Sequence, residues 1–309
     1  MSDSMRTVVS SKYFDTFNTI SAYCDERLLQ EAMDQCAFYN ALLSKYVEGS
    51  DVWRINHAGG EPVAVSPHTM TILKTAAEIN RTSGGAFNIA VGAAVRLWRF
   101  TSGEAKIPDE ASLKAAISNA DCSKIRLEGD TVTVPAGMEI DLGGIAKGYI
   151  ADQIAVFLKE RGVRSGVLNF GGNVVTLGNK PDGSPWMVGL QSPFEERGKV
   201  CWAAVPCSDA SVVTSGIYER GFSAGGVWYH HIVDPRTGWP VQNGVDCVTV
   251  CAGSSLLADG LTTALFVLGP EEGMKLAERF DVQAVYLERG GKITYSAGLK
   301  FVILANGKA

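Results

Sequence analysis

The chain has 309 residues and a net charge of −5, so it carries no overall basic field of the kind that draws nucleic acid. Hydrophobic residues make up 46% and charged residues 20%, the balance of a chain that builds a packed core rather than a disordered tail. No apolar run is long enough to cross a bilayer.

The opening MSDSMRTVVSSKYFDTF has no apolar signal-peptide core, so the expected location is cytoplasmic, with an exported form whose leader has been removed as the alternative. From Asp25 to Tyr46, Leu28, Leu29, Met33, Cys36, Ala37 and Leu43 recur at helical spacing and predict a long helix. Ser66-Pro67 reads as an N-cap with proline at N1, opening a helix to about Arg81. Ala111 to Ser118 predicts a short helix, and KIRLEGDTVTVP a hairpin turning at Gly129-Asp130. MEIDL, ending at Leu142, reads as a strand. The helix after it runs from about Ala146 to Arg161, with Ile150, Ile154, Phe157 and Leu158 on one face. GVLNF and NVVTLG are strands on either side of Gly171-Gly172, and more strands follow Trp186. Two helices, near Ser255–Leu268 and Glu271–Phe280, are separated by Gly269-Pro270, and VQAVYLE, KITYSA and FVIL close the chain as strands. The pattern predicts a mixed α/β fold of sheet plus helices, one domain over residues 1–309 with room for internal lobes. The seven cysteines are odd in number, form no C-x-x-C, and are expected to be reduced and mostly buried.

The stretch IDLGGIAKGYIADQ sets Gly143-Gly144 between an apolar run and a helix, in neither the Walker nor the dinucleotide spacing. Glycines at such a point let the backbone approach a ligand, and a helix N-terminus favours an anion. Lys147 in the first turn opposes the helix dipole, which argues for an anionic partner. Asp259 and Thr263, four apart, share one helical face among Leu256, Leu261, Ala264 and Leu265. A carboxylate there needs a partner. Either a backbone amide or basic group supplies it, or carboxylate and hydroxyl together serve a hard cation such as Mg²⁺, with a carbonyl near Gly144 as a third donor.

HHIVDPRTGWP carries His230 and His231, at most one of which faces a given site. The pair offers a general base or is incidental to a surface turn. TSGIYER, Thr214 to Arg220, groups a hydroxyl, an aromatic ring and a guanidinium, suited to phosphate or ring contact. GGAFNIAVGAAVRLW, Gly84 to Trp98, suits either close approach of backbone to a ligand or ordinary helix–sheet packing.

Taken in order, GGAFNIAVGAAVRLW, IDLGGIAKGYIAD, LNFGGNVVTLG, TSGIYER, HHIVDPRTG and ADGLTTALFVLG resemble the ApbE family, the FAD:protein FMN transferases, from about Thr16 to the end of the chain. The resemblance implies a T-fold-like architecture. It implies Mg²⁺-dependent transfer of FMN from FAD to a threonine hydroxyl of an acceptor flavoprotein, with release of AMP. FAD hydrolysis to FMN and AMP, and FAD storage without chemistry, are the alternatives. By position it assigns the metal to Asp259, Thr263 and the backbone oxygen of Gly144. It assigns FAD to Tyr46, Ala86, Phe87, Asn88, Asp141, Lys147 and Val233, and the base to His231 in preference to His230. Phe14 stands where the family usually has methionine. Asn88, Asn173 and Ile217 stand where it usually has aspartate.

Overall fold

The structure, a computed structural model, describes residues 5–100, 104–196 and 198–304. Strands β1 (Thr7–Tyr13) and β2 (Thr16–Ala22) form a hairpin whose turn residues, Phe14 and Asp15, lie at φ 55° and 57°. Helix α1 (Glu26–Leu43) starts where Asp25 accepts from the Arg27 N–H, and it buries Leu29, Met33 and Cys36. Helix α2 (Asp51–His57), capped by Ser50, lies in a segment for which the sequence pattern predicts no element. After β3 (Val63–Ala64), α3 (Pro67–Thr82) begins as expected, with Ser66 Oγ accepting from the Thr69 N–H and Pro67 in the first turn. Helices α4 (Gly92–Trp98) and α5 (Glu110–Ser118) follow, then the expected hairpin of β4 (Arg126–Glu128) and β5 (Thr131–Thr133).

The expected strand ending at Leu142 is absent. Its backbone groups bond elsewhere: the Ile140 N–H and C=O both pair with the Asn56 side chain, and the Asp141 N–H donates to Ile89 O at 2.8 Å. A segment satisfied by a side chain and a loop has nothing left to offer a strand ladder. It makes one isolated bridge, Glu139 to Val91, and runs on into α6 (Ala146–Glu160).

Strands β6 (Gly166–Phe170) and β7 (Asn173–Leu177) pair across Gly171-Gly172, both at positive φ, the geometry a tight hairpin demands. Next come β8 (Trp186–Gln191), β9 (Cys201–Cys207), β10 (Ser211–Gly216), the hairpin β11 (Gly221–Ala224) and β12 (Val227–His230), and β13 (Val245–Ala252). Helix α7 (Ser255–Arg279) is broken at Gly269 (φ 76°, ψ 178°), so it is the two expected helices end to end. Strands β14 (Gln283–Glu288), β15 (Lys292–Tyr295) and β16 (Val302–Ile303) complete the fold.

Eight strands form one antiparallel sheet in the order β1-β2-β6-β7-β10-β13-β14-β15. Alternation sorts its side chains between two faces. Val213, Val248, Val250, Ala284 and Tyr286 enter the core shared with the helices, while Val212, Cys247, Val285 and Leu287 pack against β8, β9 and Trp202. A third cluster, built on Trp98, Leu113, Phe222, Tyr229 and Trp239, ties α4 and α5 to the β11–β12 hairpin and the DPRTGW turn. Trp98 Nε1 fixes it by donating to Gly238 O at 2.9 Å. All seven cysteines are free thiols. Among the described residues no helix is long and apolar enough to cross a membrane.

Candidate active site

The site begins with the contact between α6 and α7. Asp152 on α6 accepts from the backbone N–H of Ser255 (2.8 Å) and Leu256 (3.0 Å) and from Ser254 Oγ (2.9 Å), locking the start of α7 onto α6. One turn further along α7, Asp259 accepts from the Gly148 N–H at 2.9 Å, so a carboxylate on α7 satisfies one of the orphan donors of the α6 N-terminus. The approach is possible because residue 148 has no side chain: a Cβ there would overlap the Ser255 carbonyl and lie 2.7 Å from Asp259 Cβ. Gly148→Ala therefore forces the helices apart. It is expected to cost about 1–3 kcal/mol, measured as a lower urea midpoint at unchanged m-value.

Lys147 answers both readings of its position. Its Nζ lies 3.4 Å and 3.5 Å from the two Asp259 carboxylate oxygens and donates to Gly143 O at 3.2 Å. The bland reading of Asp259, an acid tied to an amide and a base, thus holds as geometry. Thr263 lies beside it. Its Oγ1 is 3.3 Å from where a Cβ on Gly144 would be, and among the described residues that hydroxyl makes no hydrogen bond. The Gly143-Gly144 turn is held from its other side: Asp141 Oδ1 accepts from the Gly143 N–H at 2.8 Å, and Asp141 Oδ2 pairs with Lys45 Nζ at 2.7 Å. Burial works against the Lys45 charge, but the Asp141 carboxylate outweighs it and holds the ammonium above its ordinary pKa. No spacing rule pointed to Lys45, because its partner is 96 residues away.

His231 lines the same cleft, whereas His230 is buried away from it with Nε2 bonded to Val241 O at 2.8 Å. The Arg220 carbonyl accepts from the His231 backbone N–H (3.1 Å) and stands 3.3 Å from Nδ1. A carbonyl only accepts, so Nδ1 carries the proton and Nε2 is left as the acceptor. Burial first, and then the Arg220 charge, push the His231 pKa down to about 3. The free protein is therefore expected to keep this imidazole neutral as the pH is lowered through 6.5. An NMR titration showing a His231 midpoint near the ordinary value would contradict it.

These groups meet in a cleft of about 1230 Å³, larger than the roughly 300–1,000 Å³ that holds a drug-sized ligand. Its charged lining is Lys12, Lys45, Arg96, Arg99, Lys106, Lys147 and Arg220 against Asp15, Asp141, Glu219 and Asp259. An acidic chain thus presents a locally cationic cavity, which the total charge concealed. Tyr13, Phe14, Tyr46, Phe87 and Phe100 add ring surface.

Every residue that the resemblance assigns to metal, flavin or base lies in this lining: His231, Tyr46, Ala86, Phe87, Asn88, Asp141, Lys147, Val233, Gly144, Asp259 and Thr263. Tyr46 stands at its exposed rim with the Lys45 ammonium 5.2 Å from the ring centroid. The Phe87 backbone is clamped from α3 by Asn80 Nδ2 (2.7 Å) and Ser83 Oγ (3.2 Å), and its ring reaches the Gly144 turn. Phe14 reaches the cleft from the β1–β2 turn.

The ApbE family model matches residues 5–286. This chain belongs to the ApbE family. An FAD:protein FMN transferase of Klebsiella pneumoniae is 37% identical over 290 residues, covering 92% of this chain and 90% of that protein. One of Treponema pallidum is 39% identical over 259 residues, covering 78% and 71%. Among solved structures, the ApbE protein of Thermotoga maritima superposes with a TM-score of 0.87 at 29% identity, covering 95% of this chain and 97% of that one. The flavin transferase ApbE of Vibrio cholerae gives 0.85 at 31% identity, covering 95% and 97%. The mixed α/β architecture is thus that of ApbE structures.

Of the three positions where the resemblance leads one to expect aspartate, one has a local explanation. Asn88 Nδ2 donates to Ala120 O at 2.7 Å while Oδ1 accepts from the Ala90 N–H at 2.8 Å, and an aspartate could make only the second bond. Asn173 Oδ1 accepts from Ser255 Oγ at 2.6 Å, a bond an aspartate could equally make, and its Nδ2 is buried without a partner among the described residues, so nothing there explains asparagine. Ile217 is partly buried against the main core, and nothing there explains the loss of an aspartate.

Proposed function

We propose that this ApbE protein transfers FMN from FAD to a protein acceptor, that the acceptor group is a threonine hydroxyl of a redox flavoprotein, and that Mg²⁺ assists. The observation that carries the reading is the convergence of Asp259, Thr263, the Gly143-Gly144 turn, Lys147 and His231 in one cationic cleft large enough for a dinucleotide. The relatives at 37% and 39% identity bear the name of this activity.

The donor set suits magnesium. A carboxylate, a hydroxyl without another hydrogen bond and a nearby backbone carbonyl are all hard oxygen ligands, and Mg²⁺ characteristically takes one or two carboxylates and leaves its other positions to phosphate and water. Asp259, Thr263 and Gly144 would hold it, and bound there it would offset charge building on the diphosphate oxygens. Lys147, at the α6 N-terminus, supplies further positive charge to the same phosphates.

The acceptor hydroxyl attacks the phosphorus on the FMN side of the diphosphate. An oxygen–phosphorus bond forms to the acceptor, the bond to the bridging oxygen breaks, and that oxygen leaves with AMP. The hydroxyl proton passes to Nε2 of His231, whose Nδ1–H stays on the Arg220 carbonyl. An imidazole with a pKa near 3 is a weak base, but the anionic diphosphate beside it raises its affinity for a proton when FAD is bound. The cleft positions the reactants, and no covalent enzyme intermediate is needed.

The test is incubation with FAD, Mg²⁺ and an acceptor flavoprotein, followed by mass spectrometry for an FMN adduct and chromatography for AMP. Both products are expected. AMP without adduct would make the protein an FAD hydrolase, and retained FAD with neither product would make it a storage protein.

A further inference from the structure

Beside the main cleft lies a second cavity of about 490 Å³. It shares Lys12, Asp15, Phe100, Glu219 and Arg220 with the main cleft, so the two abut. Arg220 stands at the junction, and its carbonyl is the group that fixes His231. The base is therefore held from the wall that separates the two spaces.

The β11–β12 hairpin contributes Gly221 and Trp228 to the lining of the second cavity. Among the described residues its strands pair with each other and with no other strand. Trp228 on β12 is held in place: Nε1 donates to Ile217 O at 2.9 Å, and the ring lies over Gly221, where a Cβ would approach it to 2.6 Å. It nevertheless stays 39% exposed. Phe17, 76% exposed, is the cross-strand partner of Lys12 and projects from the same face of the β1–β2 hairpin. A rigid, half-exposed indole beside a polar opening has the character of an interface hot spot, and an unpaired hairpin edge offers backbone donors and acceptors to an extended chain.

The reaction imposes its own geometry. In-line displacement needs the hydroxyl to approach phosphorus from the side away from departing AMP, and the approach must end at the base. His231 lines the main cleft and not the second cavity, so a chain lying in the second cavity would reach it across the boundary that the two spaces share. We propose that an extended segment of the acceptor protein docks in this second cavity, anchored by Trp228 and flanked by Phe17, a reading that rests on the transferase function above.

The experiment compares Trp228→Ala, Trp228→Phe and Phe17→Ala, with the acceptor protein of the Vibrio cholerae flavin transferase as probe. The readouts are the KM for that acceptor and the affinity for FAD, followed by flavin fluorescence. The alanine variants are expected to raise the acceptor KM about tenfold, with FAD affinity unchanged and Trp228→Phe closer to wild type. If Trp228→Ala is poorly folded, Phe17→Ala, at an exposed position, decides. Wild-type acceptor KM in both alanine variants, or an FAD affinity that falls in step, would overturn the docking site while leaving the transferase reading intact. If the wild-type protein forms AMP but no adduct, the transferase reading fails and the docking site falls with it.

Discussion

Asp259→Asn is expected to cut FAD cleavage by about 10³-fold while leaving the protein folded. Asparagine keeps the shape of the side chain and an oxygen to accept from the Gly148 N–H, now at 2.9 Å, but it removes the charge facing Lys147. If Asp259 served only to join α7 to α6, the change would cost about 1–3 kcal/mol of stability and leave the rate per folded molecule alone. If it also helps to hold a cation at the diphosphate, several kcal/mol of transition-state stabilisation go with it, and each 1.36 kcal/mol is tenfold in rate. Urea unfolding and single-turnover AMP release on the same preparation separate the two roles. If Mg²⁺ binds there, wild type is expected to gain Tm on its addition and the asparagine variant is not. An asparagine variant with wild-type turnover and an intact Mg²⁺ response would remove Asp259 from the metal site.

His231→Ala is expected to slow FMN transfer by about 10²–10⁴-fold, the usual worth of a positioned general base, with little change in FAD affinity. The same variant has a signature in stability. Folding depresses the His231 pKa from 6.5 to about 3, so between those values the unfolded chain binds a proton that the native state does not. Stability from this site is fully present above 6.5 and is lost as the pH falls toward 3. His230, also pushed down by burial, acts in the same direction and remains in the variant. Urea midpoints should therefore fall less steeply on acidification in His231→Ala than in wild type. Parallel pH profiles would mean that the imidazole is not held neutral by its surroundings, and a variant with wild-type transfer rates would mean that another group takes the proton.

The two helices that build the site were legible because their signals are local. Gly269-Pro270 ends the first half of α7 whatever surrounds it, and Asp259 and Thr263 share a face because of helical pitch alone. Ser66-Pro67 opened α3 for the same reason. The strand expected at Leu142 failed because periodicity describes a residue's faces but not its neighbours. Asn56 and Ile89, not a strand, take the hydrogen bonds there. Helix α2 was missed because its seven residues give too short a pattern for periodicity to reveal, although Ser50 could have been read as its cap.

By itself the sequence determined the mixed α/β class, the ordered blocks of the ApbE family and the candidate residues for metal, flavin and base. Only the tertiary structure decided which groups stand together. It brought Lys45 to Asp141, gathered the basic residues of an acidic chain around one cleft, and set Asp259 against the start of α6. The physical reason is that local signals act over a few residues, whereas the carboxylate and the amide it meets lie 111 residues apart. They touch because a glycine at 148 and an aspartate at 152 let two helices pack closely enough for one to cap the other.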